Sequence, residues 1–230
     1  MPRRFAFVAN TCIAVILVSL SVVILTVDIS SIYLTVSAPV YNGNRSRNNV
    51  SLMINVNWGT EYIQPMIAVL EDKGVSATWF LGGNWAKRNM GLTQKLGKEF
   101  EIGNHGFTGK EMRYMSEASQ RNEIRNTHDV IRSITGIETN LFAPPRGSFG
   151  RTTLRVAENL GYRTIMWSKD TQDWRDQDEH LVFVRATQSL RNGDLVLLHP
   201  TAHTLRALPR IIDFYLINGF NVVKVSENIT

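Results

Sequence analysis

Carboxylates and imidazoles stand in this chain where strand-like runs end. Asp173 lies in Asp170-Thr171-Gln172-Asp173-Trp174, His199 in Leu197-Leu198-His199-Pro200, and His105 in Asn104-His105-Gly106-Phe107-Thr108-Gly109. Such groups carry protons, and an imidazole can also ligate a metal. Asn55-Val56-Asn57-Trp58-Gly59 and Phe142-Ala143-Pro144-Pro145-Arg146-Gly147 also follow strand-like runs, with different chemistry. An Asn amide accepts no proton near neutral pH, and an indole binds no divalent cation. Asn57 therefore reads as a loop cap or a ligand contact, and Trp58 as a cleft wall or a flat platform for a ligand. Arg146 reads as a solvated loop arginine or a contact to an acidic group on a ligand. A zinc site wants about three protein ligands and a water, which His105 alone cannot supply. His128 and His203 are possible substitutes that read more simply as surface histidines. Gly82-Gly83 and residues 103–109 are not followed by the Lys-Ser/Thr of a phosphate-binding loop.

The elements that position these residues alternate. The patterns predict strands over 50–56, 76–81, 100–103, 140–143, 162–167, 195–198 and 221–225. They predict helices over 61–73, 85–98, 116–135, 152–159, 177–191 and 205–217. Gly74, Gly136, Gly161 and Asn192-Gly193 serve as stops, and Ser116 as an N-cap. Such alternation predicts a parallel sheet with right-handed crossovers, closed or open. Sites in barrels of this kind sit at the C-terminal ends of the strands, where all five segments fall.

In this order, the five segments resemble the motifs of the polysaccharide deacetylase family, built on the NodB homology domain. The resemblance covers nearly everything after residue 50. It implies a deformed (β/α) barrel and the removal of acetyl groups from N-acetylated sugars. In that family one Asp and two His hold a divalent metal such as zinc, a second Asp acts as base beside an Arg, and a His–Asp pair acts as acid. The resemblance puts Asn57 in the base position, Trp58 and Gly109 in two metal positions, and Ala143 in the position of the Arg. It keeps His105 as a metal position, His199 as acid, Asp173 as its partner, and Trp174 and Leu197 as walls of the acetyl pocket. The backbone N–H of Arg146 stands where the family offers a donor to the carbonyl oxygen. Asn-Val-x-Trp-Gly itself resembles a branch found in spore-forming bacteria.

Of 230 residues, 43% are hydrophobic and 20% charged, which marks a globular chain. Residues 5–27 hold no charge, and as a helix they would span about 34 Å, enough for a bilayer. Arg3 and Arg4 place the end before them in the cytoplasm. A cleaved signal peptide is the alternative, but the run is long and Ser37-Ala38 is followed by Pro39. The expected organisation is a cytoplasmic tail over 1–4, a transmembrane signal-anchor over 5–27, a stalk over 28–49 and an extracytoplasmic domain over 50–230. Cys12, the one cysteine, rules out an internal disulfide. The net charge of +5 forms no basic stripe interleaved with aromatics, so nucleic acid is not an expected partner.

The expectation is therefore a single-pass bacterial membrane protein of a sporulation-type branch, whose domain acts on or binds peptidoglycan-like or chitin-like glycan. With the base and two metal ligands replaced, it is expected to be a degenerate deacetylase without a bound metal. A deacetylase working through His199 and Asp173, and a protein-interaction scaffold, are the alternatives.

Overall fold

The computed structural model describes residues 13–19 and 37–230. Residues 13–19 are helical. Among the described residues no helix is long and apolar enough to cross a membrane. Most of the expected anchor, including Cys12, lies outside the described residues.

The domain is a curled, parallel α/β half-barrel. Its strands are β1 (Asn49–Val56), β2 (Thr78–Leu81), β3 (Glu101–Asn104), β4 (Leu141–Phe142), β5 (Arg163–Thr164), β6 (Lys169–Asp170), β7 (Asp194–Leu198) and β8 (Asn221–Val222). The order is β5-β4-β3-β2-β1-β7-β6, with β8 beside the start of β1. β5 and β6 are thus the two edges, although only residues 165–168 separate them. Across a flat sheet, at ~4.8 Å per strand, they would lie about 29 Å apart. Four residues reach roughly 17 Å, so the sheet must curl. The seam is bridged rather than closed: Val40 pairs with Ile165 and Asn42 with Asp194.

Register decides which side chains face inward. Met53 pairs with Thr78 and Leu197, and Asn55 with Phe80. Phe80 in turn pairs with Gly103, and Asp170 with Leu197. These residues share the concave side, because aligned residues of parallel neighbours point the same way and alternate along each strand. Met53, Phe80, Leu141, Ala143, Ile165 and Leu195 fill that side as one apolar cluster. Gly103 makes room for it, since a Cβ there would collide with the Phe80 ring. Leu52, Ile54, Val56, Trp79 and Leu81 face outward, beneath the helices.

The helices that cover this face have legible boundaries. The helix Glu117–Thr135 starts where Ser116 Oγ accepts the Ser119 N–H and ends at Gly136 in the left-handed region, at φ 75°. The helix expected over 85–98 is two, Gly83–Arg88 and Met90–Glu99. Asn89 breaks it, at φ −124° and ψ 50°, with its side-chain amide donating to the Trp85 carbonyl. Burial of Trp85, Ala86, Thr93 and Leu96 carries the apolar pattern across the break and hides it.

Several further elements are shorter than expected, three of them for visible reasons. The strand over 162–167 keeps only Arg163–Thr164, because the chain then crosses the seam to β7: the Met166 N–H donates to Val40 O and the Ser168 N–H to Leu195 O. The helix over 177–191 is Glu179–Thr187, stopped by extended Gln188 and left-handed Ser189. The last strand ends at Val222, and Val225–Asn228 forms a helical turn whose first N–H donates to Thr78 Oγ1.

Candidate functional site

A cleft of about 680 Å³ opens at the C-terminal ends of the strands. It is lined by Asn55, Asn57, Trp58, His105, Arg146, Trp167, Asp170, Trp174, Leu197 and His199. The inward parity of each strand, carried past its last residue, delivers most of them. Along β1 the inward residues run Ser51, Met53, Asn55, so the concave side changes from apolar to polar at the mouth.

The best-built part is the Asp173–His199 pair. The β6–β7 ladder brings residues 170 and 197 into register, and the Thr171 hydroxyl donates to Leu197 O at 2.7 Å. Asp173 is fully buried behind His199. Its Oδ1 lies 2.7 Å from His199 Nδ1, while Oδ2 accepts the His199 backbone N–H and the Thr204 hydroxyl, each at 2.6 Å. The carboxylate thus fixes both the ring and the main chain of His199. His203 Nε2 donates to the Asp173 carbonyl at 2.7 Å, so His203 braces this loop from outside the cleft. His128 is also remote, half-buried between Tyr162 and Glu138.

Trp58 covers the pair. Its indole stacks on the His199 imidazole at 5.4 Å between centroids and 21° between planes, yet stays 48% exposed. It therefore lines the cleft, presenting a flat apolar face beside the His199 imidazole. Trp174 is also exposed, on a loop fastened by Arg185, which donates to Thr171 O and pairs with Asp176 at 2.6 Å. Arg175 and Arg185 hold the Asp176 carboxyl well below the usual carboxylate range.

His105 is buried on the opposite wall. Its Nδ1 lies 2.7 Å from the Ala143 carbonyl. A carbonyl only accepts, so Nδ1 carries the proton and Nε2 keeps a lone pair. Burial, with a smaller contribution from His199, pushes the His105 pKa down to about 4 against the Ala143 hydrogen bond. The following loop is tied by Glu123, whose carboxylate accepts the backbone N–H groups of Phe107 and Thr108 and the Thr108 hydroxyl.

Asn57 lies between two glycines. A Cβ on Gly82 would collide with its Oδ1, and its amide touches the space beside Gly109, which sits at φ 73°. A histidine at 109 would need a left-handed backbone that side chains avoid. Arg146, itself left-handed at φ 56°, leaves its guanidinium at the rim, 3.6 Å from Glu111.

The divalent metal implied by the sequence pattern does not fit these residues. Position 58 presents an indole and position 109 no side chain, and among the described residues no three His, Cys, Asp or Glu side chains gather as a metal would need. Seven of the eight site residues singled out from sequence line the cleft, and Asp173 stands directly behind it. Asn55, Trp167 and Asp170 line it as well, though they were not singled out. Strand parity was the available signal for Asn55; Trp167 and Asp170 lie at the seam, where short strands leave no period to read.

The polysaccharide deacetylase family model matches residues 42–165. The uncharacterized protein YlxY of Bacillus subtilis is 33% identical over 82% of this chain and 60% of its own length. The peptidoglycan-N-acetylmuramic acid deacetylase PdaA of the same organism is 26% identical over 69% of this chain and 62% of its own. The chain thus spans about three fifths of the length of these curated relatives. Among solved structures, a CE4-family pseudoenzyme from Bacillus anthracis superposes with a TM-score of 0.82 at 33% identity, over 84% of this chain and 69% of that one. A mutant of it, described as having restored enzymatic activity, superposes with the same TM-score at 31% identity, over 84% of this chain and 71% of that one.

Proposed function

Since the chain belongs to the polysaccharide deacetylase family, we propose that its cleft binds N-acetylated cell-wall glycan such as peptidoglycan without hydrolysing it, on a domain held outside the membrane by residues 5–27. The observation that carries this reading is the Trp58 indole stacked on His199. Where the family pattern has a metal-binding carboxylate, this chain has an aromatic platform. Indole faces at Trp58 and Trp174 suit the apolar faces of sugar rings, and the glycine and asparagine beside them offer no substitute ligand. The intact Asp173–His199 pair favours a second reading, a hydrolase that activates water without the usual ligand set.

Binding of the full chain, in detergent, to solubilised peptidoglycan fragments tests the proposal. Buried aromatic anchors in interfaces each contribute more than about 1 kcal/mol. Trp58→Ala should therefore weaken binding about tenfold while leaving the circular dichroism spectrum unchanged. Equal affinity of variant and parent, or no affinity in either, would remove the platform from the account.

A further inference from the structure

We infer that, among N-acetylated glycans, the cleft prefers polymers that carry carboxylates, and that Arg146 at its rim receives one of them. This rests on the glycan-binding reading above and narrows it to acidic strands, whose carboxylates come from muramic lactyl groups or from stem peptides.

Arg146 is the one lysine or arginine among the residues that line the cleft. Its guanidinium is 72% exposed, and Glu111 lies 3.6 Å away, a pairing by charge that is too long for a hydrogen bond. Its donors therefore remain available in the fork geometry that grips a carboxylate. The backbone beneath is held firmly. Pro145 is buried, and Gly147 lies so close to Trp167 that a Cβ there would meet the ring at 2.8 Å. A turn fixed in this way confines the ordering cost of binding to the arginine side chain.

The charge around Arg146 is mostly of one sign. The loops over 108–116 and 144–151 carry Lys110, Arg113, Arg146 and Arg151, all exposed, against the single carboxylate of Glu111. The loops meet at two places: Glu111 faces Arg146, and Arg113 Nε donates to Phe149 O at 2.9 Å. Glu117, the next acid along the chain, is occupied by Arg121 and Arg155. Asp170, less exposed than Arg146, is the one carboxylate that lines the cleft. It repels an acidic substituent from its own part of the cleft, so a bound carboxylate is directed to the rim. An acetamido group is neutral and meets no such repulsion. Selection by Arg146 therefore adds to recognition of the N-acetylated sugar and does not replace it.

Titration calorimetry of the full chain in detergent, with three β-1,4-linked tetramers, tests this. One is N-acetylglucosamine throughout and neutral. Two alternate N-acetylglucosamine with N-acetylmuramic acid, the first with free lactyl carboxylates and the second with stem peptides amide-linked to them. At least one acidic tetramer should bind about fivefold more tightly than the neutral one, the upper range for an exposed ion pair. Which of the two does so identifies the source of the carboxylate. Arg146→Gln should abolish most of that difference and leave affinity for the neutral tetramer unchanged. Lys98→Gln removes the same charge from an exposed site just before β3, at the end of that strand away from the cleft, and should leave the difference intact. Equal or tighter binding of the neutral tetramer would overturn the selection and leave glycan binding standing. A difference that survives Arg146→Gln, or that Lys98→Gln lowers as much, would overturn the assignment to Arg146. No binding of any tetramer by the parent chain would end the glycan-binding reading and the selection with it.

Discussion

Asp173→Ala is expected to destabilise the domain by about 3–5 kcal/mol, the range for removing one partner of a buried charged pair. The carboxylate is fully buried and receives the His199 ring, the His199 main chain and the Thr204 hydroxyl. Alanine strands all three donors without water, each at about 1–3 kcal/mol. For a domain of this length the melting temperature should fall by roughly 6–20 °C. Asp173→Asn should do much less harm. Its oxygen can still accept from the His199 N–H and Thr204, while its NH₂ would donate to Nδ1 and move the ring proton to Nε2. Nitrogen-15 NMR of the imidazole reads that tautomer change directly. An alanine variant within about 1 kcal/mol of the parent would show that this pair does not hold the cleft wall.

The second large effect is a pH dependence of stability set by His105. Its folded pKa is pushed down to about 4, below the ordinary 6.5. Between these values the unfolded chain binds a proton that the folded chain refuses, so stability is full above about pH 6.5 and falls toward pH 4. The whole window is worth about 3 kcal/mol, and the step from pH 7 to pH 5 about 2 kcal/mol. Urea denaturation at these two pH values should show that loss. His105→Asn, which can still donate to Ala143 O, should remove most of it. A parent protein equally stable at both, or an undiminished slope in the variant, would mean that His105 is not the buried neutral imidazole described above.

Much of this arrangement was legible in the sequence as patterning. β1 alternates Val50, Leu52, Ile54 and Val56 with Ser51 and Asn55, β7 is an apolar run after Asp194, and Ser116 and Gly136 mark their helix chemically. What stayed hidden depends on pairing between distant segments. β6 has only Lys169 and Asp170, too short for any alternation, and the crossing at 165–168 is defined by bonds to Val40 and Leu195. The same limit applies in the cleft. The five segments announced that His199, Asp173 and Trp58 share one mouth, but the stacking of Trp58 on His199 is a side-chain choice made by the fold. That the Asn55 side-chain oxygen lacks a hydrogen-bond partner among the described residues is likewise visible only once its surroundings are known.

The central claim is that this cleft holds glycan without cleaving it. The most direct test is acetate release by the full chain from N-acetylated glycan oligomers and peptidoglycan, with divalent metals added and His199→Ala run in parallel. No acetate above the level of the variant, from protein shown to be folded, is the predicted result. Acetate that appears with the parent chain and disappears with His199→Ala would contradict it and make His199 a catalytic acid.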